Sequence, residues 1–575
     1  MSPKDSSRSE KDLEKFVHDV NRGAWGNKTE FILSVLGYAI GIGNVWRFPY
    51  LCYRNGGGAF LVLFILMLCL AGIPLFFMEV VIGQFSSTGC LSMFRMCPLF
   101  KGAGFAIVII NILCCIYYIV IICYPVLFLI KLISPVVPWQ DCNNPWNTDK
   151  CFMVENSVYS RGAYRTPADE FFHREILQIS TGIEDIGGIV WPLFGCLVFS
   201  WVVVYLCIIK GVKTVGKVVY FTALFPFLIL FVLFIRGVTL PGAIDGIIYY
   251  IKPDFNRLMD LKVWADAAIQ MCFSVGPGWG GIVSMASFNE FHNNAMWDSI
   301  FITLINVATS IFAGFVVFSV LGYLSLMTGI PVEHVATQGP GLAFVTYPEA
   351  INLMPAPHLW AALFFSMLFF LGLDSMFVQI EAIINSLVDD YTILRAHKTW
   401  VTLGSCIVMF FLSISMVTNG GIFVLSLMDY YAVSVAVIGI CFVEAIVIGW
   451  IYGTKRFTAD VGFMMGKKPP KFFIICWKYI TPIILFIFIA TLAFSRRVTF
   501  NEIEYPDWSI VLGWTLCFSS LICIPIYMLY KLYTSKGSLK DRFFGSLIAK
   551  DWFPANPEIC QKYEMFLKEE SIELF

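Results

Sequence analysis

The chain carries about twelve apolar runs long enough to cross the hydrocarbon core of a bilayer, which takes roughly 20 residues of helix. They fall near 30–53, 58–86, 103–133, 188–210, 216–236, 263–290, 298–327, 358–388, 400–416, 420–452, 472–494 and 508–533. Backbone amides and carbonyls find no water in that core, so each run has to satisfy its own hydrogen bonds as helix. The expected fold is an all-α integral membrane protein with about 12 transmembrane helices. With 58% hydrophobic and 14% charged residues, the chain would expose large apolar patches if it folded in water. Its formal net charge of −1 gives no electrostatic reason to expect nucleic acid as a partner. The lipid bilayer is the expected partner, and a homo-oligomer stays open.

Lysines and arginines in short loops choose the cytoplasmic side. Lys11, Lys15, Arg22 and Lys28 precede the first run, Arg95 and Lys101 follow the second, and Lys210, Lys213 and Lys217 follow the fourth. Lys455, Arg456, Lys467 and Lys468 follow the tenth, and Lys531, Lys536, Lys540 and Arg542 follow the last. Twelve alternating spans put all of these on one side. Both termini are expected in the cytoplasm of a multi-pass plasma-membrane protein, with loops 134–187 and 328–357 outside. No cleavable leader is visible in the polar stretch Met1 to Lys28. Cys142 and Cys151 flank a polar part of the first outer loop, where an oxidising compartment favours a disulfide. The other cysteines sit mostly in apolar runs and read as packing.

Two runs are interrupted by glycine. The first reads Gly37-Tyr38-Ala39-Ile40-Gly41-Ile42-Gly43-Asn44, and the sixth Phe273-Ser274-Val275-Gly276-Pro277-Gly278-Trp279-Gly280-Gly281. Either alone could be close helix packing or a proline kink. Together they lie five spans apart, the spacing of two inverted five-helix repeats with discontinuous first and sixth helices. The expected division is 1–28 cytoplasmic tail, 29–236 helices 1–5, 237–455 helices 6–10, 456–535 helices 11–12 and 536–575 cytoplasmic tail. Backbone freed inside a bilayer must be satisfied by protein, water or ligand. Bare carbonyls can ligate a cation, and half-helix N-termini can face a carboxylate.

At these residues the sequence resembles the neurotransmitter:sodium symporter family. GYAIGIGNVWRFPY from Gly37 is similar to its first-helix signature, and NGGGAF from Asn55, PWQDCNNPWNT, KGVKT, FHNN and LGLDS match as well. The resemblance runs from about Arg22 to Arg542, and within the family it is nearest to glycine transporters. It implies two sodium sites. The first would use Ala39, Asn44, Ser274 and Asn306, completed by the substrate carboxylate. The second would use the carbonyls of Gly37, Ile40 and Leu371 with the side chains of Asp374 and Ser375. These are hard oxygen ligands suited to a hard cation, and an acid inside a span is a functional candidate in its own right. A chloride site would use Gln270, Ser274, Asn306 and Ser310; the tyrosine that the family adds from its second helix is Phe64 here, so one donor is missing.

The same resemblance implies a zwitterionic substrate. Gly41 stands where monoamine transporters carry an aspartate, so an amine without its own carboxylate would be left unpaired in a dry site. Tyr118 would hold the substrate carboxylate together with amides near Gly43, and Phe273 would form the lid. Trp279 would fill the side-chain end of the pocket, Gly276 would open room nearby, and Tyr38, Ala39, Cys114, Ser274, Ser375 and Gln379 would line it. Glycine ranks first, other small neutral amino acids second, and GABA, betaine or proline-like solutes after them. Arg47 with Asp429 resembles the outer gate and Arg22 with Asp389 the inner one, where the family's tyrosine is replaced by Phe288. The competing readings are a non-transporting sensor or trafficking partner of the same fold, and a membrane enzyme. No nucleotide fingerprint or activated nucleophile supports the last.

Overall fold

The computed structural model describes residues 24–153, 165–209, 211–335, 341–493, 499–500, 503–549 and 551–569. Ten helices among them are long and apolar enough to span a membrane. In chain order these are the second span Gly58–Ser86, third Pro98–Lys131, fourth Trp191–Ile208, fifth Thr214–Val238, seventh Ala295–Thr328, eighth Pro357–Asp390, ninth Lys398–Met416, tenth Gly421–Ile451, eleventh Lys471–Thr491 and twelfth Asp507–Thr534. The first span is Lys28–Ala39 followed by Ile42–Arg54, bent by 58°. The sixth, a run over 263–290 expected to be discontinuous, is two short helices, Leu261–Val275 and Gly281–Ala286. Neither half reaches across alone. A two-residue antiparallel pair, Thr499–Phe500 with Ile503–Glu504, is the only sheet among the described residues.

The breaks have local causes. Gly276, Gly278 and Gly280 all have positive φ, which costs a residue with a Cβ but not glycine, and Pro277 contributes no amide. The second span carries a π-helical turn at Leu68–Gly72, just ahead of Pro74, which cannot donate into a regular ladder. Span bounds elsewhere shift by a few residues from the apolar runs. The third starts at Pro98, because a 3₁₀ turn over Pro98–Phe100 leads into it.

Burial separates a centre from a periphery. The third and tenth spans have 78% of their most apolar stretch buried inside the protein and the eighth 72%, whereas the ninth and twelfth have 28%. The exposed sides of those outer helices carry Trp400, Phe411, Val511 and Phe518, as lipid-facing surfaces should. The broken first and sixth spans lie within the centre, packed against the eighth and the second. Cys142 and Cys151 are joined in a disulfide. At the other end, the C-terminal segment docks on the helix after the tenth span: Tyr563 donates to Asp460 Oδ1 at 2.5 Å. Trp552 stacks on Phe85 at 5.3 Å, at the end of the second span.

Candidate functional site

The break in the sixth span exposes backbone groups, and three neighbours satisfy them. Glu79 of the second span accepts the Gly278 amide at 2.6 Å. Asn111 of the third donates to the Trp279 carbonyl at 2.6 Å. Tyr38 of the first donates to the Gly276 carbonyl at 3.4 Å. The break is therefore held open by side chains rather than relaxing back into helix. Neither Glu79 nor Asn111 stood out in the sequence, although Glu79 is the one charged residue of the run 58–86 and Asn111 a lone amide in an apolar stretch of the third, the signal that would have found them.

Between the two breaks lies a cavity of about 40 Å³. Ten of the eleven residues expected to contact substrate line it; Ser274 does not, while Gly41 and Asn44 join. A Cβ on Gly41 would stand 2.8 Å from Ser375 Oγ and 3.0 Å from Tyr118 OH, so any side chain here, the aspartate of an amine-pairing site included, would have to displace those two hydroxyls. Ser375 donates to the Tyr38 carbonyl at 3.2 Å, and Tyr118 OH accepts the Ile42 amide at 3.4 Å. The phenol thus sits over the first amide of the second half-helix. Gly276 departs from expectation. A Cβ there would meet Tyr38 Cε1 at 2.7 Å, so it is packed against that ring and opens no room on that side. Gln379 exchanges hydrogen bonds with Cys114 and Cys115 at 3.5 and 3.6 Å and narrows the cavity. Trp279 meets the Phe273 ring edge-on at 5.8 Å.

The residues expected around the first sodium and the chloride are brought together and buried. Asn44 Nδ2 donates to Asn306 Oδ1 at 2.6 Å and to Ser310 Oγ at 3.0 Å. Asn306 Nδ2 donates to the carbonyl and hydroxyl of Ser274 at 3.2 and 2.9 Å. Gln270 is fully buried, and neither end of its amide has a partner among the described residues. A buried unpaired amide is costly; an anion beside it would satisfy its Nε2 donor, and a cation or donor its Oε1. Phe64 is fully buried against Phe48, ring centres 5.0 Å apart.

At the expected second sodium position, Asp374 Oδ1 accepts a hydrogen bond from Thr222 of the fifth span. Asp374 Oδ2 has no hydrogen-bond partner among the described residues and lies 2.9 Å from where a Cβ on Gly37 would stand. Ile40 and Leu371 are both buried nearby in sequence, on the first and eighth spans. Glu381, a turn or two further along the eighth span, is also buried, but it is paired with Lys398 at 2.7 Å. These two acids of the eighth span therefore differ: Glu381 has its cation in Lys398, and Asp374 has none among the described residues.

Above the cavity, Arg47 lies 4.4 Å over the Phe273 ring and meets both oxygens of Asp429 at 3.4 Å. Tyr117 donates to the same carboxylate at 3.0 Å. The expected outer pair is formed and the lid is down. Below, Arg22 lies outside the described residues. Its expected partner Asp389 accepts the Gly89 amide at 2.8 Å. Trp25 donates to the Met285 carbonyl at 3.0 Å and sits edge-on to Phe288 at 6.3 Å, so an indole covers this end beside the phenylalanine that stands in place of the family's tyrosine.

Residues 22–535 match the Sodium:neurotransmitter symporter family. The sodium- and chloride-dependent glycine transporter 1 of Xenopus laevis is 46% identical over 94% of this chain and 89% of its own length. The sodium- and chloride-dependent glycine transporter 2 of the same species is 44% identical over 93% and 72%. The sodium- and chloride-dependent creatine transporter 1 of Bos taurus is 42% identical over 91% and 85%. Helix breaks, buried polar clusters and sequence agree, and the chain belongs to the sodium:neurotransmitter symporter family, a family of membrane transporters rather than enzymes.

Proposed function

We propose that the chain is a sodium-coupled, chloride-dependent plasma-membrane symporter that imports a small neutral amino acid, glycine first. The observation that carries this is the cavity of about 40 Å³ with Trp279 and Gln379 in its lining and Gly41 where an aspartate would be needed for a bare amine. Such a space favours a zwitterion with little side chain. Its carboxylate would bond Tyr118 and the first amides of the half-helix starting at Ile42, and complete the first sodium shell with Ala39, Asn44, Ser274 and Asn306. Asp374, Ser375 and the carbonyls of Gly37, Ile40 and Leu371 would hold the second sodium. Relatives named for glycine support the reading. One named for creatine makes a longer guanidino acid the main competitor, and the size of the cavity argues against it.

The driving force suffices. One charge crossing 100 mV is worth roughly 2.3 kcal/mol, and a tenfold sodium gradient about 1.4 kcal/mol per ion. Two sodium ions at about 70 mV supply roughly 6 kcal/mol, enough for a substrate gradient on the order of 10⁴-fold. Chloride entering alongside cancels one charge and lowers this figure.

The test is uptake of labelled glycine, sarcosine, alanine, leucine, proline, GABA, betaine and creatine by cells expressing the chain, with sodium or chloride replaced in parallel. Sodium-dependent glycine uptake exceeding every other substrate is expected. Strong uptake of creatine or leucine with background glycine would overturn the assignment, and no sodium-dependent uptake of any solute would favour a sensor. Phe64 gives a sharper chloride test. Phe64→Tyr adds the donor that the family supplies, and one hydrogen bond to a charged group is worth about 1.5–3 kcal/mol. The chloride half-saturation is expected to fall about tenfold or more; an unchanged value would mean the anion sits elsewhere.

A further inference from the structure

Just past the twelfth span the chain forms a short helix, Leu539–Leu547, that no site above uses. A capping box fixes its start: Ser538 Oγ accepts the Asp541 amide, and the Asp541 carboxylate accepts the Ser538 amide, both at 3.2 Å. Arg542 donates to the Gly537 and Leu532 carbonyls at 2.8 and 3.3 Å, which ties the helix to the last turn of the twelfth span. The helix also packs beside the turn Pro98–Phe100 that opens the third span. Next to that turn, Lys101 pairs at 2.7 Å with Asp390, the last residue of the eighth. Three span ends thus mark one level, the depth at which hydrocarbon gives way to headgroups.

The outward side of this helix is unlike one that faces water. Leu539, Phe543 and Phe544 are 75%, 43% and 58% exposed. They follow in the chain on Ile526, Leu529 and Tyr533, exposed at the end of the lipid-facing twelfth span. Beside them the charge is one-sided. Between Trp508 and Lys550 the sequence has five basic residues and one acid, Asp541, and that acid is turned back onto the helix cap. Lys536 and Lys540 are exposed and have no ion-pair partner among the described residues. Apolar and basic side chains on one helix at headgroup depth match an interfacial helix, and anionic lipid attracts lysines near its surface. We infer that Leu539–Leu547 is a contact site for anionic phospholipid. Leu539, Phe543 and Phe544 enter the boundary between headgroups and acyl chains, and Lys536 and Lys540 meet the lipid phosphates and carboxylates. Charge alone would not choose lipid over a soluble anion; the apolar side chains next to the lysines do. The basic loops favour this side as cytoplasmic, where anionic lipids concentrate.

The test is hydrogen–deuterium exchange of the full-length protein in lipid nanodiscs, read over Leu539–Leu547. Discs of phosphatidylcholine alone are compared with discs that also hold phosphatidylserine in both leaflets, so the outcome does not depend on which side faces the cytoplasm. Exchange is expected to be about tenfold slower with phosphatidylserine, and raised salt should shrink the difference. Lys536→Gln combined with Lys540→Gln should remove it while exchange in the spans stays as in the wild type. Phe543→Ser combined with Phe544→Ser should speed exchange in both membranes. Equal exchange of the wild type in the two membranes, or a slowing that survives loss of both lysines, would overturn the proposal. Equal slowing by inorganic phosphate in detergent would overturn it in favour of a soluble anion, and slowing that grows with protein concentration in favour of a second copy of the chain.

Discussion

Asp374→Ala is expected to abolish sodium-driven uptake while the protein still reaches the cell surface. The Asp374 carboxylate is 2% exposed, with one oxygen bonded to Thr222 and the other unpartnered against Gly37. A buried, half-satisfied acid weakens a fold unless something else uses it. A cation between Asp374, Ser375 and the freed carbonyls of the first span would use it fully. At about 4 Å and an effective dielectric near 20, that attraction is roughly 4 kcal/mol. Removing it lowers sodium affinity on the order of a thousandfold, beyond what a physiological gradient can offset. Asp374→Asn keeps an oxygen ligand without the charge and should leave weak uptake with a strongly raised sodium half-saturation. Uptake against sodium concentration, normalised to surface biotinylation, reads both variants. Normal transport by the alanine variant would place the second sodium elsewhere.

Much of this arrangement was legible in the linear chain, and for identifiable reasons. Helices in a bilayer announce themselves by length and hydropathy, so ten of the runs are long apolar helices among the described residues, the first is a bent pair and the sixth two short helices. Both breaks showed because glycine clusters are costly inside a long helix. The contacts between distant spans were not legible from spacing. Asn111 bonded to Trp279, and Glu79 bonded to Gly278, are each separated by more than 160 residues, and nothing local records the pairing. The reason for a glycine was also hidden. Gly276 read as open space, yet the Tyr38 ring fills that side and the backbone there is left-handed. Resemblance located Asp374, but only the structure distinguishes it from Glu381, which has Lys398 as its partner.

Trp279→Leu is expected to exchange substrates rather than simply lower activity. The indole is 3% exposed, edge-on to the lid residue Phe273, and its own carbonyl is fixed by Asn111. Its backbone is therefore held in place, and the buried indole packs against the Phe273 ring. Leucine keeps the position apolar and avoids the roughly 3–5 kcal/mol that a tryptophan-to-alanine cavity costs. The space released lies beside Phe273, in the same cavity that Trp279 lines. Each methylene accommodated in an apolar pocket is worth about 1–3 kcal/mol, or roughly 10–200-fold in discrimination. Alanine and a longer residue such as methionine should therefore gain uptake, and glycine, now loosely held, should need a higher concentration for half-saturation. The decisive quantity is the ratio of uptake efficiencies, methionine over glycine, measured in the same cells for both proteins. A rise of at least about tenfold fits a tryptophan that sets the size limit. An unchanged ratio, with surface expression intact, would mean that Gln379 and Cys114 bound the cavity and that Trp279 merely packs behind them.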